Sequence, residues 1–403
     1  MLPVNAVNKD MPIITSLLDT DFYKLTMMQC IFHHFKSTQA RYKLIGRKKD
    51  TGTKIGPLEK SVRQQIDYLC RLAFQEDEID YLRTLGLFQE DFLDYLTTFQ
   101  LNKACIQIQA SQTHFELTIS GLWLETILFE VPLLAIISET YTQTIETPEL
   151  LLDAKLRLEH KIEYLKIQPQ QDLKQFKFTE FGTRRRFSKK WQDEITQYLY
   201  EKLPHYLYGS SNILLSKLLN TQPIGTMAHE YIQAFQVLAP DLAFHQRVAL
   251  ELWLEEYKGL NPIALTDVIN MDSFLSEFTP ELAVNYRGLR HDSGDPITWG
   301  NKALAYYNQH AISSKEKLLV FSDSLTFSKM LEIYKIFHEK IPVLFGIGTN
   351  LTNDFKEPSL DIVLKLTHIN NQAVIKLSDT PEKLVCEDLS MLEKIKNTYQ
   401  LNK

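Results

Sequence analysis

Two periods of apolar residues divide the chain. Over residues 58–99, apolar positions recur at three- and four-residue spacing, as in VRQQIDYLCRLAF (62–74) and EDFLDYLTTF (90–99). That spacing predicts short helices with one buried face. Gly86 and the acidic run Glu76-Asp77-Glu78 punctuate them. The period then drops to two: ACIQIQASQTHFELTIS (104–120) alternates apolar and polar residues, the pattern of two half-buried strands. A long apolar helix is predicted at about 121–143. From about residue 175, short apolar or β-branched runs alternate with helical stretches. The runs are 176–181, 223–228, 261–266, 283–290, 317–323, 341–349 and 360–367. Helical patterns such as FSKKWQDEITQYLYEKL (187–203) and LTFSKMLEIYKIF (325–337) separate them. Repeated strand–helix units predict a parallel sheet with crossover helices. Seven such runs point to a closed parallel α/β barrel rather than an open doubly wound sheet. A closing hairpin around NNQAVIKLSD (370–379) is predicted to return to the N-terminal region. The expected division is an N-terminal α+β domain over 1–140, joined by about 365–403, and a barrel domain over 141–364.

Composition narrows the function without naming it. Hydrophobic residues make up 44% of the 403, enough for a sizeable core. The net charge is −6, so no global basic field favours nucleic acid or an anionic membrane, and any anion site must be built locally. The segment LTISGLWLETILFEVPLLAII (117–137) has the length of a membrane span, but contains Glu125, Glu130 and Pro132. Each acid at mid-bilayer would cost about 2.5–3.5 kcal/mol, so a buried helix is expected instead. The N-terminal residues carry no secretory pattern. The four cysteines, Cys30, Cys70, Cys105 and Cys386, form no CxxC pair, and reduced thiols in the cytoplasm are expected.

Candidate chemistry gathers at the ends of the predicted strands, where α/β folds bind ligands. After 176–181 comes Gly182-Thr183 and the mostly cationic run RRRFSKK (184–190). Guanidinium groups suit phosphate or carboxylate, although a solvated turn would read the same way. After 223–228 comes His229, in IGTMAHE (224–230), open to reading as a core histidine, a metal ligand, a general base or a nucleophile. Then follow Thr266-Asp267, the stretch RHDSGDP (290–296), Ser322-Asp323-Ser324, and FGIGTN (345–350). In RHDSGDP, Asp or Ser ahead of Pro296 fits a helix cap, while Asp292 and Asp295 can also hold ribose hydroxyls or steer a Mg²⁺ that a polyphosphate brings. Gly346, Gly348 and Thr349 resemble a phosphate cradle. No Walker loop, GxGxxG, HxH or HExxH spacing is present, which removes the common nucleotide and zinc signatures.

Taken together these stretches resemble the nicotinate phosphoribosyltransferase family. The match covers LLDTDFYKLTMMQ (17–29), WLETILFEVPLLAIISE (123–139), FGTRRRFS (181–188), GTMAHE (225–230), LTD (265–267), RHDSGDP (290–296), FSDSL (321–325), FGIGTNLTND (345–354) and IKLSD (375–379), in the family's order along nearly the whole chain. The segment 43–56 and Glu382 depart from the pattern. The resemblance implies an irregular parallel α/β barrel, type II phosphoribosyltransferase-like. It implies conversion of nicotinate, 5-phosphoribosyl 1-pyrophosphate (PRPP) and ATP to nicotinate mononucleotide, pyrophosphate, ADP and phosphate, an entry step to NAD. It implies a cytoplasmic homodimer in which Tyr23 reaches the neighbouring subunit's site, and no nucleic-acid or membrane partner. It further implies that His229 is the phosphate acceptor, with room left by the small residues ahead of it. Tyr23 and Phe181 would stack on the base, with Arg184 and Arg290 neutralising its carboxylate. Arg185, Arg186, Ser293, Gly294, Gly346, Gly348 and Thr349 would hold phosphates, and Asp267 and Asp292 the ribose. The sequence does not rank the arginines 184–186. No protein-built metal site is implied, only Mg²⁺ arriving with PRPP or ATP near Asp267, Asp292 and Asp295. A nicotinamide-using relative, a metal-dependent barrel hydrolase and an inactive binding protein are the competing readings.

Overall fold

Alternation in the first part of the chain produces three strands: β1 (Gln39–Gly46), β2 (Ile106–Ala110) and β3 (Phe115–Leu122). Six short strands follow: β4 (Phe178–Glu180), β5 (Leu207–Ser210), β6 (Ile263–Leu265), β7 (Gly288–His291), β8 (Leu318–Phe321) and β9 (Val343–Ile347). The last two are β10 (Ile362–Ile369) and β11 (Gln372–Ala373). This computed structural model describes residues 11–260, 262–377 and 388–401. Parts of earlier expectations, namely residues 1–10, the end of the IKLSD match, Glu382 and Cys386, lie outside the described residues.

The strands sort into two sheets. One is five-stranded, ordered β11-β10-β1-β3-β2, with all its pairs antiparallel. β1 pairs with β10 from Ala40 opposite Ile369 to Gly46 opposite Ile362, so C-terminal strands complete the N-terminal sheet as expected. Along β1, Ala40, Tyr42 and Leu44 turn inward and alternate with more exposed residues, as a sheet with one covered face requires. The other sheet is six-stranded, parallel, and ordered β5-β4-β9-β8-β7-β6. Strand β9 is buried throughout, which explains its unbroken apolar run, while β4 is equally buried but carries Thr179 and Glu180. The predicted apolar helix is Glu130–Thr142, preceded by short turns from Trp123, and is almost wholly buried. Among the described residues, no helix is long and apolar enough to cross a membrane.

Four details differ from the sequence pattern. Residues 223–228 form no strand: Pro223 lacks an N–H and Gly225 weakens a ladder. The segment instead bridges the two edge strands irregularly. Ile224 N donates to Ser210 O at the end of β5 (2.9 Å), and Thr226 Oγ1 donates to Ile263 O at the start of β6 (3.0 Å). Residues 360–367 belong to β10 of the antiparallel sheet, not to the parallel one. β5 was not expected, because LYGS carries no apolar run, and Pro280–Asn285 takes the start of run 283–290 as a helix.

Candidate active site

The carboxyl ends of β4, β7, β8 and β9 open into a cleft of about 580 Å³ whose far wall is β10 and the chain before it. Cationic side chains outnumber acidic ones in its lining: Arg47, Lys48, Arg184, Arg185, Arg290, Lys365 and Lys376 against Glu130, Glu230, Asp292, Asp323 and Asp361. In a chain of net charge −6 this is the local anion field that the composition demanded.

The three consecutive arginines have different fates. A tight turn over Thr183–Arg185 sends neighbouring side chains in different directions. Arg184 lines the cleft, steadied by Glu130 Oε1 at 3.1 Å. Arg185 lines it too, with Asp361 Oδ1 at 2.9 Å. Arg186 does not: it is fully buried in a two-pronged pair with Asp19, at 2.7 and 2.8 Å, and also meets Gln192. The phosphate role expected of Arg186 therefore gives way to a structural one.

Phe181 follows β4 and lines the cleft, with the Arg290 guanidinium 5.9 Å from its ring centre. Gly346, expected to cradle phosphate, sits inside β9 beneath that ring; a Cβ there would meet Phe181 Cδ2 at 2.2 Å. Its role is to seat the phenyl group. Gly348 and Thr349 do line the cleft. Tyr23 does not. It is buried within its own chain near Arg184, and its hydroxyl lacks a hydrogen bond among the described residues. Ser293 turns inward to Asp267 (2.6 Å), Gly294 takes a left-handed turn (φ +79°), and Asp295 caps helix Pro296–Gln309 through Thr298 N (2.7 Å). Asp295 thus fits the capping reading, and of RHDSGDP only Arg290 and Asp292 line the cleft. Arg290 is held by Ser322 Oγ (3.0 Å) and Met227 O (3.3 Å), and Ser322 donates to Asp292 (2.8 Å).

His229 opens helix His229–Leu238 and lines the cleft. Its Nε2 lies 2.8 Å from Asp267 Oδ1, 2.7 Å from Lys376 Nζ and 3.5 Å from Asp292 Oδ2. Glu230 points elsewhere and, with Glu130, brackets the buried ammonium of Lys24. Asp267 is thus the residue that orients the imidazole. Burial lowers the His229 pKa below the usual histidine range and Lys376 lowers it further, against the pull of Asp267. Burial would raise Asp267, but Lys376 and His229 outweigh it and hold the carboxylate well below its usual range. A neutral imidazole beside an ionised carboxylate is a nucleophile or a base. Of the small residues ahead of His229, Gly225 makes room for protein, since a Cβ there would meet Tyr23 N at 3.2 Å, while Ala228 lines the cleft.

His229, Asp267 and Asp292 bring ligand-type atoms within 4.8 Å of one another, as a metal site would, and no other such group is found among the described residues. The donor set nevertheless does not fit a resident divalent ion, because the ammonium of Lys376 already lies between two of the three. Lys376, Lys365, Arg47 and Lys48 were missed as site residues. Only Lys376 left a signal, as the lysine closing the apolar run of IKLSD.

A cationic cleft at the carboxyl ends of parallel strands, with an activated histidine in its wall, defines an α/β enzyme that acts on anionic substrates. Comparison with known proteins sharpens this. Residues 176–403 match the Nicotinate phosphoribosyltransferase (NAPRTase) family and residues 18–138 the NAPRTase N-terminal domain. The chain is 42% identical over 392 residues to the nicotinate phosphoribosyltransferase of Xanthomonas euvesicatoria, covering 96% of this chain and 98% of that one. Its match in Acinetobacter baumannii, bearing the same name, is 42% identical over 396 residues, covering 97% and 98%. The crystal structure of nicotinate phosphoribosyltransferase from Vibrio cholerae superposes with a TM-score of 0.90 at 35% identity, covering 96% of this chain and 94% of that one. The enzyme from Porphyromonas gingivalis gives 0.88 at 31%, covering 96% and 100%. The chain belongs to the nicotinate phosphoribosyltransferase family and is an enzyme.

Proposed function

We propose that this enzyme joins nicotinate to the ribosyl carbon of PRPP, releasing pyrophosphate, and couples that transfer to ATP hydrolysis through phosphorylation of His229. The observation that carries the coupled part is the imidazole of His229, held neutral and oriented by Asp267 in the wall of a cationic cleft.

Nicotinate is a flat ring bearing a carboxylate. Phe181 offers it a face, and Arg184, steadied by Glu130, an opposite charge. The ring nitrogen attacks the anomeric carbon as pyrophosphate departs, so positive charge grows on the ribose and negative charge on the leaving group. Asp292 faces the first, and Arg47, Lys48 and Lys365 surround the second. Arg185, Gly348 and Thr349 are placed to hold the 5-phosphate. Mg²⁺ enters as the companion of PRPP and ATP. In the coupled step, Nε2–H donates to Asp267 Oδ1, which leaves the unprotonated Nδ1 to attack the γ-phosphorus of ATP as ADP leaves. Water later cleaves the N–P bond and returns phosphate. The product feeds NAD synthesis, and we place the enzyme in the cytoplasm as a homodimer.

Incubation with γ-labelled ATP tests the coupled part. The label should be acid-labile and base-stable, and absent from His229→Ala. Label persisting in that variant would remove His229 from the role. Comparing turnover of nicotinate and nicotinamide tests the substrate, since the arginines favour the acid.

A further inference from the structure

Lys376 is held from both sides of the pair it bridges. On one side, Ile375 exchanges two hydrogen bonds with the side chain of Gln236, which stands on the helix that begins at His229. Ile375 N donates to Gln236 Oε1 at 2.8 Å, and Gln236 Nε2 donates to Ile375 O at 2.7 Å. On the other side, Leu377 N donates to Val268 O at 2.8 Å, one residue beyond Asp267. Between these staples, Lys376 extends its Nζ to 2.9 Å from Asp267 Oδ2 and 2.7 Å from His229 Nε2. The lysine follows β11 and so arrives from the antiparallel sheet, while Asp267 and Asp292 stand at the ends of parallel strands.

The cluster it enters has the spacing of a divalent-cation site. Two carboxylates, one of them fully buried, need a positive charge close by. A lysine supplies a compact point charge with three donors on a tethered stem, and so fills the place of an ion that would have to be bound and desolvated.

We propose that Lys376 is the resident cation of the His229–Asp267–Asp292 cluster: it keeps divalent ions out of that group and, as a positioning residue, holds Asp267 against the imidazole for phosphoryl transfer. The second half rests on the phosphohistidine reading above. On this account Mg²⁺ stays with the polyphosphates and is never captured by the free enzyme.

The test has two arms, both on the full-length protein. In the first, free Mn²⁺ is followed by electron paramagnetic resonance during titration without substrates. Lys376→Ala should gain a binding site that the wild type lacks, and the double variant Lys376→Ala/Asp292→Asn should lose it again. Equal Mn²⁺ binding by wild type and Lys376→Ala, or no gain in the variant, overturns the resident-cation assignment. In the second arm, phosphoenzyme formation from γ-labelled ATP should slow roughly 10- to 100-fold in Lys376→Ala, the size of a lost charge-assisted hydrogen bond. Added ethylammonium should restore much of the rate, and Lys376→Arg should keep part of it. A folded Lys376→Ala enzyme with undiminished labelling, or a loss that neither amine nor arginine restores, overturns the positioning role. If the wild type itself takes no label, the phosphohistidine reading fails and the positioning half falls with it, while the Mn²⁺ arm still decides the first half.

Discussion

Replacing Arg186 by methionine separates its structural role from the ligand role that its neighbours suggest. The substitution keeps the aliphatic stem and removes the guanidinium, leaving the buried Asp19 carboxylate with the more distant charge of Lys189 and a hydrogen bond from Asn212 Nδ2 at 2.7 Å. Burial pushes the Asp19 pKa up, and Arg186 at present more than offsets this, so the folded pKa lies below the usual carboxylate value. Breaking a buried pair from one side costs about 3–5 kcal/mol. With unfolding entropy of about 2.1 cal/mol/K per residue, the 403 residues sum to about 0.85 kcal/mol/K, so the melting temperature should fall by about 4–6 °C. The sign with pH follows from the depressed pKa. The wild-type pair stabilises above the unfolded carboxylate pKa and loses that stabilisation as pH falls through the folded one. The gap between wild type and variant should therefore be full at pH 8 and shrink on acidification. Calorimetric melting at several pH values, alongside steady-state kinetics, measures both quantities. An unchanged melting temperature together with a raised KM for PRPP would refute the reasoning and return Arg186 to the cleft.

Other perturbations probe the rest of the molecule. Arg184→Met should raise the KM for nicotinate roughly 10- to 100-fold, the scale of one charge-assisted contact, and narrow the preference for nicotinate over nicotinamide in paired kinetic assays. Gly346→Ala should displace the Phe181 ring and weaken base binding roughly 3- to 10-fold, the worth of a stacking contact, with PRPP binding measured separately as the control. Burial raises the Glu180 carboxyl from 4.5 to about 7. Its folded form keeps a proton that the unfolded chain gives up, so its contribution to stability declines as pH rises from 4.5 to 7, by about 3 kcal/mol. Glu180→Gln should remove that slope and melt higher than wild type at pH 8. Equal pH profiles for the two proteins would contradict it.

Much of the fold was legible because burial imposes periodicity. The hairpin of β2 and β3 and the continuous apolar runs of β8 and β9 are one- or two-sided burial written directly into residue order. Segment 223–228 misled for the same reason: it is apolar because it is enclosed, but its Pro and Gly keep it out of a ladder. In the site, the positions of Asp267, Asp292, Arg184 and Arg290 were readable from strand ends, since the topology brings those ends together, while His229 follows an apolar run that forms no strand. The direction of each side chain was not. Arg185 and Arg186 are adjacent and identical in kind, yet a single turn sends one into the cleft and the other into the core. Ser293 likewise faces Asp267 rather than a ligand. Arg47 and Lys48 escaped notice because they project from the other sheet, in a segment without a recognisable pattern.

The place of β10 beside β1, the central strand of the antiparallel sheet, has a consequence for synthesis. Ala40 pairs with Ile369, so an early strand waits beside β3 with one edge open until the ribosome has made the whole parallel sheet and reached β10. The far wall of the cleft and the ammonium at His229 come from that same late segment. A nascent or prematurely terminated chain can thus build most of the parallel sheet, yet it holds an incomplete pocket and an unpaired edge. Catalysis is acquired only once β10 and Lys376 have been made, and truncations ahead of residue 362 should leave aggregation-prone protein rather than a slower enzyme.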